Sequence, residues 1–182
     1  MNLNLFFTPT DILLPAHADM RRWSVIACDQ FTADAGYWQA VQDTVCDAPS
    51  TLRLMLPEFY LGKCDEAAAT REIQQTMRRY LDDGVFRTVP HSLVLVQRTL
   101  PGGAVRCGVV GALDLEAYDY APDSVTPIRA TEGTVASRLP ARVRIRAAAA
   151  LEMPHIMVFY SDPEDTIRRE AQAAAGETLY DF

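Results

Sequence analysis

The spacing of apolar residues changes along this chain from helical to extended, and that change constrains the fold class most. Between Asp65 and Tyr80, residues Ile73, Met77 and Tyr80 or Leu81 recur on one side of a helix with charges elsewhere, and Gly84 follows as a stop. Beyond it, Ser92 to Thr99 and Ala104 to Leu113 are strand-like runs rich in valine and leucine. They flank Pro101-Gly102-Gly103, which supplies the positive φ angles of a tight turn, so the two runs predict a hairpin. The expected class is α+β: a mixed sheet with a central β-hairpin and flanking helices, in a single domain over 1–182.

The remaining elements are read from local signals. Trp23 to Cys28 has the pattern of a short buried strand, and Ala33 to Val45 shows helical spacing through Tyr37, Trp38, Val41 and Val45. Asp29-Gln30-Phe31-Thr32 connects the two, with Thr32 or Asp34 as the helix cap. Pro49 to Leu61 is ambiguous. Gly108 and Gly111 weaken the second hairpin strand and mark a bulge or a close backbone approach. Pro140 suits the first turn of a helix that ends before Pro154, with Leu139, Val143, Ala147 and Leu151 facing the core. His155 to Tyr160 is a further expected strand. Ser161 or Asp162 then caps a last helix, with Pro163 near its first position, which runs to about Ala175 and stops at Gly176.

Composition removes several function classes. With 182 residues and 49% apolar content, the chain can bury a core without a disulfide or a metal. The formal charge of -7 repels phosphate backbones and argues against nucleic acid as a partner. Cys28, Cys46, Cys64 and Cys107 form no Cys-x-x-Cys pair, and His17, His91 and His155 are far apart in sequence, so metal-ligand spacing is absent. Such cysteines read as small buried hydrophobes of a reducing compartment, which predicts a cytoplasmic protein. The apolar stretches near the N-terminus are interrupted by Thr8, Pro9 and Asp11 with no basic region before them, so neither a signal peptide nor a membrane span is expected.

Chemistry concentrates between Pro127 and Arg146. Arg129, Arg138, Arg142, Arg144 and Arg146 lie there beside one carboxylate, Glu132. Arginine is favoured throughout, since Lys63 is the only lysine among 17 basic residues, but a uniform bias would not place five arginines in so short a span. A helix opening near Pro140 sets Arg142 and Arg146 one turn apart, with Arg138 just before it. Positive side chains in a first turn oppose the helix dipole, so something negative is expected close by. Free N–H groups and guanidinium forks together suit phosphate, sulfate or carboxylate. The structural alternative pairs Arg138, Arg142, Arg144 and Arg146 with Glu132, Glu152, Asp114 or Asp119 on a solvated face. Glu132 itself is either a general base or a holder of Arg129.

The loop Asp29 to Thr32 follows an expected strand, which is where α/β folds place ligand contacts. Asp29 there is able to bind a metal or a hydroxyl, or to form the turn and cap the helix. Tyr37 and Trp38 read as core residues in preference to a stacking platform, and His155 as a satisfied core histidine in preference to a catalyst.

Ala27-Cys-Asp-Gln-Phe-Thr32 with Tyr37-Trp38, Pro57-Glu-Phe-Tyr60, Gly108-Val-Val-Gly111 and the Ile128 to Arg146 segment resemble the bacterial family catalogued as domain of unknown function 1015. Members of that family are usually about twice as long. Their later half carries an Asp-Gly-His-His-Arg or Asp-Gly-Asn-His-Ser type motif, similar to one in the ParB-like free serine kinases. This chain ends at Asp181-Phe182 before any such motif, so the resemblance implies an N-terminal part of a longer protein, with a site shared between two halves. It also implies a phosphate- or nucleotide-handling, phosphotransferase-like pocket. By the resemblance, Arg129, Arg138 and Arg142 with Gln30 and Thr32 would bind the anion, joined by Arg146 from its helix spacing, while Glu132 would orient or deprotonate an attacking hydroxyl and Asp29 would be the second catalytic group. ADP or ATP with Mg would be the cofactor. A phosphorylated small molecule, the absent C-terminal half, or a second copy of the chain would be the partner. The alternative is a non-enzymatic module whose arginine face docks an acidic partner or that missing half, and such a module should expose an apolar patch.

Overall fold

The computed structural model describes residues 6–131, 133–153 and 155–181, and the fold is α+β. The strands are β1 (Phe7–Thr8), β2 (Thr10–Pro15), β3 (Phe86–Ser92), β4 (Val94–Thr99), β5 (Val105–Val110), β6 (Ala112–Leu113), β7 (Tyr118–Asp119) and β8 (Ile128–Arg129). The helices are α1 (Met20–Trp23), α2 (Ala35–Val45), α3 (Glu66–Asp82), α4 (Leu139–Arg146) and α5 (Thr166–Ala174). Strands pair two by two, as β1 with β6, β2 with β3, β4 with β5 and β7 with β8. The chain divides into two compact units. One holds Leu14–Arg87 and Thr134–Met157; the other holds the described residues up to Leu13, Thr88–Gly133 and Val158–Asp181.

In the strand-rich unit, β4 and β5 form the expected hairpin, antiparallel from Val94 opposite Val110 to Thr99 opposite Val105. Gly102 and Gly103 adopt φ values of 99° and 86°, which an L side chain rarely takes, so the turn is written into the sequence. Gly111 marks the close approach and Gly108 does not, because a Cβ on Gly108 would meet open space. A Cβ on Gly111 would sit 2.7 Å from both Leu93 Cδ2 and Phe7 Cζ, and 2.8 Å from the backbone oxygen of Thr8. The side chains can rotate away but the Thr8 carbonyl is fixed by β1, which pairs Phe7 with Leu113 and Thr8 with Ala112. We expect Gly111→Ala to destabilise the protein by about 1–3 kcal/mol, with Gly108→Ala nearly neutral, as read by denaturant unfolding of the two variants. Equal midpoints would refute the assignment. α5 starts at Thr166, later than the expected start near Pro163: Asp165 occupies the N-cap position, and Asp162 reaches forward to accept hydrogen bonds from the N–H groups of Thr166 (2.9 Å) and Ile167 (2.8 Å).

The helical unit is organised on α3. Asp65 caps it by accepting from Ala68 N at 3.0 Å, and Gly84, at φ 68°, ends it. Its buried face, Thr70, Ile73, Thr76, Met77 and Tyr80, joins Trp23, Leu54 and Ile145 in the main core. A second cluster gathers Cys28, Trp38 and Met55, with Val25, Ile26, Tyr37, Val41, Leu52, Phe59 and Tyr60 around them. The ambiguous Pro49 to Leu61 segment contains two short helical turns, Thr51–Leu54 and Glu58–Tyr60.

Several expectations are corrected. Of the four cysteines read as buried, only Cys28 is buried, while Cys46 and Cys64 are exposed. Trp23 to Cys28 is not a strand: Trp23 ends α1, and the residues after it run without regular structure. The Trp23 carbonyl accepts from Thr51 Oγ1 (2.8 Å) and Ser50 Oγ (3.3 Å), and Val25 N donates to Thr51 Oγ1 (3.2 Å). Buried hydroxyls thus satisfy backbone groups that a ladder would otherwise have to satisfy. In α4, Ala141 and Ile145 are the buried residues, whereas Leu139, Val143 and Ala147 stand exposed; of the expected face only Leu151, beyond the helix, packs against the core. Gln74 of α3 donates to the carbonyls of Arg144 (2.9 Å) and Ile145 (3.0 Å), and Arg78 to that of Ala148 (3.2 Å). These contacts fix the rotation of α4 and satisfy carbonyls at its C-terminal end. Finally, residues 155–160 have no strand partner and form no regular element, and His155 is exposed instead of packed in a core.

Candidate functional site

The site is built on α4, on the loop after Cys28 and on the helical turn Glu58–Tyr60, all within the helical unit. Pro140 in the first turn of α4 suits its geometry. Arg138 and Arg142 flank that start, and the carboxylate that offsets their charge is Glu58. Its Oε1 lies 2.7 Å from Arg142 Nη2 and its Oε2 3.1 Å from Arg138 Nε. The Glu58 side chain is only 6% exposed, while those of Arg138 and Arg142 are 43% and 44% exposed. A carboxylate this buried needs both partners, since an unpaired buried charge is costly.

Glu58 is placed by its own backbone: its N–H donates to the Cys28 carbonyl at 2.8 Å, which ties the helical turn to the loop. Asp29, next in sequence, brings Oδ2 to 3.9 Å from Arg142 Nη2. Gln30 Nε2 donates to Asp29 Oδ1 at 3.3 Å and so steadies that carboxylate. Cys28 lies beneath the group. Burial pushes its thiol above the ordinary range, and Arg142 only partly offsets this against Asp29 and Glu58, so Cys28 stays a protonated packing residue.

The other candidates separate. Arg144 reaches Glu66 of α3, whose second oxygen accepts from Gly62 N at 3.0 Å, and Arg146 pairs with Glu152. Arg146 therefore does not join Arg138 and Arg142. Asp114 and Asp119, read as arginine partners, instead hold the N–H groups of Glu116 and Ala121, each at 3.0 Å. Thr32 is exposed, and Asp34 is the residue that caps α2, accepting from Tyr37 N at 2.9 Å. Arg129 belongs to the strand-rich unit, where β8 places it opposite Asp119 in a parallel ladder. Glu132 lies outside the described residues. The residue missed in the sequence is Glu58; only its place in Pro57-Glu-Phe-Tyr60 flagged it, because nothing local links it to arginines some 84 positions away.

Two shallow grooves occur elsewhere, one lined by Asp47, Arg53, Arg79 and Tyr80 among others, the other by Arg21, Val25, Tyr37 and Val41 among others. Neither is lined by Arg138, Arg142 or Glu58, and the two arginine side chains are partly open to solvent where they stand.

The segments that build this group, Ala27 to Thr32, Pro57 to Tyr60 and Ile128 to Arg146, fall inside one family model, the protein of unknown function DUF1015, which matches residues 9–182. The chain belongs to the DUF1015 family. No curated protein and no solved structure matches it. In this DUF1015 chain the Arg138–Glu58–Arg142 bridge joins two arginines to one largely buried carboxylate. None of those residues form a three-membered cluster of histidine, cysteine or carboxylate side chains able to hold a metal ion. No described helix is long and apolar enough to cross a membrane.

Proposed function

We propose that Arg138 and Arg142, held by Glu58, bind a phosphate-type anion, and that the chain supplies the phosphate-handling part of a phosphotransferase-like site. The observation that carries this reading is the bridge itself. Glu58 takes one donor group from each guanidinium and leaves the rest of both forks exposed beside each other, a preorganised arrangement suited to phosphate. Asp29 at Arg142 fits a role in accepting a hydroxyl proton or hydrogen bond of the bound molecule. ADP or ATP with Mg remains the cofactor that the family resemblance suggests. Because the arginines are open to water, the affinity should fall with added salt.

The test is thermal unfolding in the presence of phosphate, phosphoserine, ADP and ATP with and without Mg, for the wild type and Arg142→Ala. A ligand at 100 times its dissociation constant adds about 2.7 kcal/mol of stability, a shift of several degrees for a chain of this size. The expected result is a shift in the wild type that sodium chloride weakens and that Arg142→Ala loses. A wild type that none of these ligands stabilises would overturn the reading.

One observation favours a second reading, a non-enzymatic interaction module: Ile156, Met157, Val158, Phe159 and Tyr160 are each between 47% and 79% exposed. Concentration-dependent association of the chain, seen by analytical ultracentrifugation and abolished by Phe159→Ser, would support it.

A further inference from the structure

We infer that the loop Asp29 to Thr32 adds a ring-stacking subsite to the arginine pair, so that the bound anion carries a planar ring, as a nucleoside phosphate does. This rests on the phosphate reading above and goes beyond it. Phe31 adopts φ 50°, in the left-handed region where a bulky residue is strained. The strain is held in place from two sides. The Phe31 carbonyl accepts from Trp38 Nε1 at 3.0 Å and from Asp34 N at 3.1 Å, and Trp38 is fully buried.

That backbone presents the Phe31 ring outward. It stacks on Tyr37 with centroids 4.0 Å apart and planes 14° from parallel, and Tyr37 in turn meets Trp38 edge to face at 5.3 Å. Phe31 nevertheless stays 47% exposed. A glycine would adopt this conformation without strain, and an exposed ring contributes little to the core. An aromatic plate backed by a second ring, on a loop whose Phe31 carbonyl is held by two hydrogen bonds, is instead what binds a planar ring by stacking. Tyr37 is thus the support of a platform, and the exposed face belongs to Phe31.

The platform and the arginines are joined through Asp29. It lies two residues before Phe31, which limits their Cα separation to about 7 Å, and its carboxylate reaches Arg142. A carboxylate so placed accepts hydrogen bonds from the hydroxyls of a sugar, while the guanidiniums take the phosphate. Ring, sugar and phosphate each have a matching group: Phe31, Asp29, and Arg138 with Arg142.

Calorimetric titration of the full chain with inorganic phosphate, ribose 5-phosphate and AMP tests this, with Phe31→Asn as the variant. Asparagine tolerates the positive φ and lacks the ring, so the loop keeps its shape. The expected result is AMP binding about 5- to 150-fold tighter than ribose 5-phosphate in the wild type, an advantage that Phe31→Asn abolishes while phosphate affinity is unchanged. Equal binding of AMP and ribose 5-phosphate by the wild type would overturn the stacking subsite and leave the anion site standing. An equal loss for all three ligands in Phe31→Asn would also overturn it, because Phe31 would then only shape the loop. No binding of any of the three would overturn the anion reading together with this one.

Discussion

Trp38→Ala should lose about 3–5 kcal/mol of folding stability, a fall in melting temperature on the order of 10 °C. Trp38 is completely buried in the cluster with Cys28 and Met55, so truncation leaves a large cavity lined by residues that cannot all collapse into it. It also removes the indole donor that holds the Phe31 carbonyl at 3.0 Å. Trp38→Phe separates the two effects, since it keeps most of the volume and deletes only the N–H. Its loss should be smaller, about 1–2 kcal/mol, because Asp34 N still donates to the same carbonyl. Urea unfolding of both variants provides the check. A Trp38→Ala protein within 1 kcal/mol of the wild type would show that this cluster is not a core.

Met77→Ala should lose about 2–5 kcal/mol, and Met77→Leu less than about 1.5 kcal/mol, because leucine conserves most of the volume. Met77 is fully buried on α3, in the cluster that contains Trp23, Leu54, Ile73, Tyr80 and Ile145. Ile145 comes from α4, so a cavity at Met77 also loosens the seat of the helix that carries Arg142. Calorimetric unfolding measures the stability loss, and phosphate titration at a temperature where the variant remains folded should show a weakened anion site. Unchanged phosphate affinity in a stable Met77→Ala protein would mean that the contacts from Gln74 and Arg78 position α4 by themselves.

Local determinants explain what was readable in advance. The hairpin followed from Pro101-Gly102-Gly103, α3 from its apolar period between Asp65 and Gly84, and α2 from the spacing of Tyr37, Trp38, Val41 and Val45. Each of these causes acts within about one turn of helix or one turn of chain. The failures share the opposite property. Trp23 to Cys28 is apolar enough for a strand, but the hydroxyls of Ser50 and Thr51, more than 25 residues on, capture its first carbonyl. Residues 155–160 have strong strand composition yet lie without a partner, because a ladder needs a second strand as well as a propensity.

The candidate site divides along the same line. Residue order alone places arginines at the start of a helix opening at Pro140, calls for an acidic group to offset them, and puts a carboxylate, an amide and a hydroxyl in the loop at Asp29. Long-range packing makes Glu58 that acid, pairs it with Arg138 and Arg142, leaves Arg144 and Arg146 to Glu66 and Glu152, and sets Phe31 exposed on Tyr37. The reason is physical. Helix spacing fixes which residues share a face, whereas the rotation of α4 is set by Ile145 entering the core and by Gln74 and Arg78 of α3 holding its carbonyls, contacts about 70 residues apart in sequence.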